Sequence, residues 1–170
     1  MKRFFLLIIS GICIGFSSCN PQRHLTGKTR PSHELSSKLG FKVSRHDNLQ
    51  LYTEAAQWLK VPYRNGGNTK KGVDCSGLIC QIYPKVYGVN LPRTTGGMAA
   101  QCRKVLKSDL KTGDLVFFQT SGKKKGINHV GLFLKKGYFI HASTSRGVIV
   151  SNLKETYYRK AWKYGGKIRK

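Results

Sequence analysis

Asp74, Cys75, Ser76 and Gly77 stand where a polar, glycine-rich loop gives way to the helical spacing of "CSGLICQIYPKVYG". A thiol is a poor nucleophile until it ionises, and its ordinary pKa of about 8.5 keeps it protonated at neutral pH. At the first turn of a helix, free backbone N–H groups and the helix dipole favour the thiolate. Ser76 and Gly77 are small, which suits close approach of a substrate backbone, and glycine is a poor choice there on helix propensity alone. A nucleophilic cysteine also needs a base and a group that orients the base. His129 and His141 lie in β-prone runs, whereas His24, His33 and His46 lie in or beside a polar N-terminal stretch.

Whether His129 and His141 can meet depends on one turn. With Lys135, Lys136 and Gly137 as a three-residue hairpin loop and Gly137 left-handed, Leu134 faces Tyr138 and His129 falls opposite Ser143. His141 then shares a face with His129, on the diagonal, about 7–8 Å away between backbones. A two-residue turn would place the two on opposite faces. On spacing alone the pair reads as part of a Cys–His catalytic set, as satisfied core histidines, or as part of a metal site, for which zinc would want further ligands.

The elements that must position these residues can be read from periodicity. "DNLQLYTEAAQWLK" puts Leu51, Ala55, Trp58 and Leu59 on one helical face behind an Asp or Asn cap, and Val61-Pro62 ends it. A second helix begins at Cys75, and Pro84 predicts a kink or an early end because it removes a bond to the Cys80 carbonyl. A third short helix is predicted over "TGGMAAQCRKV". After Leu110 the runs "DLVFFQ", "NHVGLFL", "GYFIHAS" and "GVIVSN" predict an antiparallel meander, closed by a basic segment with Tyr157, Tyr158, Trp162 and Tyr164. Helices first and strands afterwards make an α+β fold, N-terminal helices packed on an antiparallel sheet.

The chain has 170 residues, enough for one domain, expected over residues 48–170 as a monomer. Residues 1–18 read as a signal peptide, with Lys2 and Arg3 ahead of an apolar run from Phe4 to Phe16. Cys19, after Ser17-Ser18, resembles the lipidated cysteine of a bacterial lipobox, although Phe16 replaces the usual aliphatic residue. Residues 19–47 are then a lipidated N-terminus and flexible basic tether. With Cys13 in the leader, Cys75, Cys80 and Cys102 remain, an odd number that leaves at least one thiol free or paired between molecules. A net charge of +24 favours polyanionic partners such as a carboxylate-rich wall or an anionic membrane. Neither an aromatic-plus-basic RNA signature nor zinc-finger spacing is present, so no specific nucleic-acid partner is expected.

The ordered runs "VPYRNGG", "GVDCSGLI", "LPRTTGGMA", "LKTGDLVFF", "NHVGLFL" and "YFIHAS" resemble the NlpC family of bacterial cell-wall cysteine peptidases over roughly residues 50 to 165. The resemblance implies a papain-like core with Cys75 as nucleophile, His129 as general base and His141 as its orienting partner. It further implies that Tyr63 supports the oxyanion or binds substrate, that Asp74 and Ser76 contact the substrate's polar groups, and that Arg93 lines the groove. The activity implied is hydrolysis of peptidoglycan stem peptides, at the γ-D-glutamyl–diamino acid bond or the D-alanyl–diaminopimelate crosslink, with no cofactor or metal. A papain-like amidase or acyltransferase, or a non-catalytic wall- or membrane-binding lipoprotein, are the competing expectations. Either way the chain is expected in the bacterial envelope, exported and anchored through Cys19.

Overall fold

The structure, a computed structural model, describes residues 31–121 and 126–169. The leader, Cys13, Cys19 and His24 lie outside the described residues. Helix α1 (Pro31–Leu39) comes first and buries Leu35 and Leu39, followed by buried Phe41 and Val43. The expected tether over residues 19–47 is therefore corrected: order begins well before Asn48. Phe41 stacks on Tyr138 and meets Tyr52 edge-on, while Lys135 holds Asp47, so this segment is fastened by apolar area and by charge. Those few apolar side chains were masked in the sequence by the surrounding polar residues.

Helix α2 (Leu49–Trp58) starts on Asn48, whose side chain accepts from the Leu51 amide at 2.9 Å. Its buried face is Leu51, Tyr52, Ala55 and Trp58. A two-stranded hairpin, β1 (Asn68–Thr69) with β2 (Gly72–Val73), leads into α3 (Cys75–Tyr87). Pro84 does not end α3, which runs one further turn to a left-handed cap at Gly88, whose amide donates to the Pro84 carbonyl. Tyr83 and Tyr87 pack ring to ring across this last turn and hold it. Helix α4 (Thr95–Ala100) is shorter than expected, because Cys102–Val105 is strand β3 and pairs with the C-terminal strand.

One antiparallel sheet of six strands has the order β3-β8-β4-β5-β6-β7. Strands β4 (Leu115–Phe118), β5 (His129–Lys135), β6 (Tyr138–Ser143) and β7 (Gly147–Asn152) form the predicted meander. After α5 (Thr156–Ala161), β8 (Trp162–Ile168) does not close an edge; it inserts between β3 and β4. Helices α2 and α3 cover one face, where Leu78, Ile79 and Ile82 pack in one cluster with Val130, Leu132, Leu134 and Ile140. The other face carries a second cluster, Val116, Phe118, Phe133, Phe139, Leu153 and Tyr158, covered by α5. Alternation along β5 and β6 thus feeds two cores.

The β5–β6 turn differs from expectation in a way that preserves its consequence. Lys135 pairs with Tyr138, so the loop is the two residues Lys136 and Gly137, both with positive φ (49° and 87°). Positive φ at both positions suits the tight hairpin turn that matches strand twist, and glycine takes it without strain. A bulge at Leu134 then shifts the register, and Phe133 pairs with Phe139 and Leu132 with Ile140. That is the register the three-residue loop would have produced. The Leu134 carbonyl accepts from the hydroxyls of Tyr52 and Thr112 at 3.2 and 2.6 Å. A bulge so satisfied carries no cost of a buried, unpaired carbonyl.

Candidate active site

Asp74 begins the site. It caps α3 from an extended backbone (φ −94°, ψ 178°), with Oδ1 accepting from the Gly77 amide at 2.7 Å. Arg93 grips the same carboxylate with both ends of its fork, Nη1 to Oδ1 at 2.9 Å and Nη2 to Oδ2 at 2.8 Å. The Gly66 amide donates to Oδ2, and Arg93 also donates to Ser76 Oγ at 2.8 Å and to the Gly67 carbonyl at 3.0 Å. Burial opposes ionisation of Asp74, but Arg93 and the Gly77 and Gly66 amides outweigh it and hold the carboxyl below its ordinary range. This network joins the loop before α3, the start of α3 and the entry to α4 into one unit.

Gly77 is the residue that lets the unit close. A Cβ there would lie 2.2 Å from the Gly67 carbonyl oxygen. The room expected at Gly77 for a substrate backbone is therefore filled by the protein's own loop. Asp74 and Ser76, expected to contact substrate, are buried and direct their hydrogen bonds to Arg93, Gly77 and Gly66.

Cys75 follows immediately, at the first position of α3, and the three thiols Cys75, Cys80 and Cys102 are all free. A cleft of about 490 Å³ opens over it, lined by Tyr63, Asp74, Ser76, Arg93, Thr95 and Asn128 among others. Burial pushes the Cys75 thiol up, and the nearby Asp74 charge adds to this. The Val130 and Ser76 backbone amides and the Thr95 hydroxyl, 3.8 Å from Sγ, pull the other way without prevailing. Burial thus works against the thiolate that the helix terminus favours at this 8% exposed cysteine. Tyr63 lies beside β2 through a bridge to Val73, and burial, then the Cys75 and Asp74 charges, raise its phenol.

His129 starts β5, directly before Val130, and pairs in register with Phe118. Its Nε2 lies 3.0 Å from His141 Nδ1, with the rings nearly perpendicular at 89°. Burial pushes His129 down to about 4 and, with the His129 and Arg146 charges adding, holds His141 well below its ordinary value. Both rings are therefore neutral at pH 7, so one nitrogen of the contact donates and the other accepts. Beyond His141, Nε2 meets Ser151 Oγ at 3.2 Å and Tyr158 Oη at 3.0 Å. If His129 keeps a free lone pair on Nδ1, its Nε2–H donates to His141 Nδ1, and the His141 Nε2–H then points to those two hydroxyls. Among the described residues no group of three or more His, Cys, Asp or Glu is placed to hold a metal ion.

Four residues of this arrangement escaped the sequence: Thr95, Asn128, Ser151 and Tyr158. Asn128 precedes His129 and accepts from the Thr120 amide at 2.8 Å, tying the β4 exit to the start of β5. Ser151 has a legible signal, since β7 pairs antiparallel to β6 with His141 opposite Ile149, two residues away on the strand. Tyr158 has none, because α5 reaches His141 only through packing on the second cluster.

The sequence model of the NlpC/P60 family matches residues 60–166 of this chain. The murein DD-endopeptidase MepS/murein LD-carboxypeptidase of Escherichia coli strain K12 is 34% identical over 173 residues, covering 94% of this chain and 90% of that protein. The probable endopeptidase NlpC of the same organism is 35% identical over 158 residues, covering 93% and 94%. Among solved structures, an NlpC/P60 family protein from Bacillus cereus superposes with a TM-score of 0.64 at 29% identity, covering 71% of this chain and 40% of that one.

Proposed function

Because the chain belongs to the NlpC/P60 family, we propose that it hydrolyses peptide bonds in peptidoglycan stem peptides, with Cys75, His129 and His141 as its catalytic set. The observation that carries this reading is the buried His129–His141 contact at 3.0 Å, on a strand whose next residue, Val130, turns its amide toward the Cys75 sulfur. Two neutral, hydrogen-bonded imidazoles, one of them a single residue before the amide that faces the thiol at a capped helix start, form a base with a fixed tautomer.

In the resting site the pair is thiol and imidazole, so the proton moves to His129 Nδ1 as the sulfur attacks the carbonyl carbon. The oxyanion meets the Cys75 backbone N–H and the Tyr63 hydroxyl, each such donor being worth about 2.7–4 kcal/mol in comparable sites. His129 then gives its proton to the departing amine, leaving a thioester on Cys75. Water, deprotonated by His129, attacks the thioester, and collapse returns the proton to sulfur and frees the acid. Throughout, His141 Nδ1 accepts from His129 and stabilises the imidazolium. Arg93, with a 39% exposed side chain, is the member of the Asp74 network offered to substrate, and Asp74 and Ser76 hold it in place.

The leader-like residues 1–18 and Cys19 support export and lipid anchoring in the envelope, facing the wall. Incubation of the protein with intact peptidoglycan, with soluble products read by mass spectrometry, tests the reading. Release of stem-peptide fragments is expected, and their masses distinguish the γ-D-glutamyl bond from the D-alanyl crosslink. A folded protein that releases only sugar-free whole stems is an amidase, and one that releases nothing defeats the peptidase reading.

Tyr158→Phe probes the far end of the histidine pair. It removes one of two hydroxyls on His141 Nε2 and keeps Ser151. The loss of one hydrogen bond that orients the base is expected to lower kcat about ten-fold, or ~1.4 kcal/mol, at unchanged KM. A change in KM alone would show that Tyr158 serves only the packing of the second cluster.

A further inference from the structure

Among the described residues that line the cleft over Cys75, Asn128 is the one from the sheet side, directly before β5; the others belong to the loop before β1 and to the starts of α3 and α4. Its side chain has a fixed orientation. The Thr120 amide donates to Oδ1 at 2.8 Å and the Thr120 hydroxyl at 3.2 Å. A backbone N–H can only donate, so the atom facing Thr120 is the carbonyl oxygen, and the other end of the amide is the Nδ2–H2 donor. The tie to Thr120 needs an acceptor alone. Aspartate would make it equally well, so the tie does not explain the amide nitrogen.

The place of Asn128 in the chain decides which part of a substrate meets that donor. It adjoins His129, about 3.8 Å away between Cα atoms. On the peptidase reading, on which this inference rests, the departing amine takes its proton from His129 and so lies within hydrogen-bond reach of it. Diaminopimelate is an amino acid at both ends. Whichever of the two candidate bonds is cut, the carbon that carries the departing amine therefore also carries a carboxyl group, amidated or free. A neutral donor serves both forms. It also leaves the base undisturbed, whereas a lysine or arginine one residue from His129 would oppose the imidazolium that forms during turnover.

We propose that Asn128 Nδ2 donates to the carboxyl oxygen next to the departing amine, which makes Asn128 a specificity-determining residue on the leaving-group side of the cleft. The class recognised is an amine with a carboxyl group on the same carbon, as opposed to a plain alkyl amine. Thr120 is then a positioning residue, since its two donors hold Oδ1 and thereby aim the nitrogen. Tyr63 and Arg93 enter the cleft from other elements and are left to the acyl side of the scissile bond.

The test compares two synthetic substrates that share the acyl part of the bond cleaved in peptidoglycan. One has diaminopimelate as its leaving group; the other has 1,5-diaminopentane, the same skeleton without its carboxyls. Rates are compared at neutral pH, well above the value of about 4 to which burial pushes His129. The parent is expected to favour the first substrate at least ten-fold in kcat/KM. Asn128→Ala should cut kcat/KM on it about ten-fold, the order of loss for one hydrogen bond left unmade, and shrink the preference by the same factor. Asn128→Asp keeps the acceptor for Thr120, so the loop stays tied, but lacks the donor and repels a free carboxylate. Its preference should fall at least as far. A purely structural role gives a different pattern, in which Asn128→Asp cleaves like the parent or both substrates lose equally, and either result overturns the proposal. So does a parent that does not distinguish the two leaving groups. A parent that cleaves intact peptidoglycan, with Asn128 variants that keep its preference, refutes this inference alone. A folded parent that leaves peptidoglycan intact refutes the peptidase reading and this inference with it.

Discussion

Cys75→Ala and His129→Ala are each expected to cut peptidoglycan turnover by about three to four orders of magnitude, the loss typical when one member of an interdependent nucleophile–base set is removed. The double variant should be little worse than either single one. Additive losses would mean that the two do not act as a unit. The pH profile of the parent supplies an independent check. Neutral His129 is required to accept the thiol proton, and burial holds it at about 4, so activity should rise as pH passes upward through about 4 rather than 6.5. The high-pH limb should lie above the ordinary cysteine range, because burial raises Cys75, and loss of the second proton leaves no general acid for the amine. These limbs belong to the coupled pair as a whole. An acid limb near 6.5 would show that substrate or water relieves the burial of His129.

The same residue affects folding. His129 binds a proton less readily folded, at about 4, than unfolded, near 6.5. Between those values the unfolded chain holds more protons, so stability is complete above about 6.5 and falls as pH drops toward 4, by roughly 3 kcal/mol for this group. His129→Ala should flatten that part of the stability–pH curve.

Asp74→Ala is expected to be the most damaging change to the fold among the polar residues of the site. It removes the α3 cap, worth about 1 kcal/mol, and leaves Arg93 without its bidentate partner. Breaking a buried ion pair costs about 3–5 kcal/mol, but Arg93 is 39% exposed and keeps Gly67 and Ser76, so about 1–2 kcal/mol is the appropriate share. A total near 2–3 kcal/mol corresponds to a fall in Tm of about 5–10 °C. Asp74→Asn keeps a capping oxygen and should lose about half as much. The pH dependence has a definite sign: Asp74 is held below its unfolded value, so its contribution is present above about pH 4 and disappears as pH falls through its folded value. Equal melting points for the Asn variant and the parent would remove the charge from this account.

The sequence by itself determined the local chemistry. The D-C-S-G run at the start of a helical period placed Cys75 at a helix terminus, and an Asp or Asn cap was legible ahead of α2, because capping and amphipathic spacing act within one or two turns. The alternating runs after Leu110 likewise announced the meander. Tertiary structure decided what depends on partners distant in sequence. Pro84 stays helical because Tyr83, Tyr87 and the Gly88 cap outweigh one lost bond, and CRKV is a strand because β8 lies beside it. The Leu134 bulge exists because Tyr52 and Thr112 take its carbonyl, and it is this bulge that keeps the histidines together across a two-residue turn. Burial did the same for the thiol: helix position favours an anion at Cys75, but only the assembled core reveals how little water remains to support one. Short-range rules name the groups, and long-range packing sets their protonation and their neighbours.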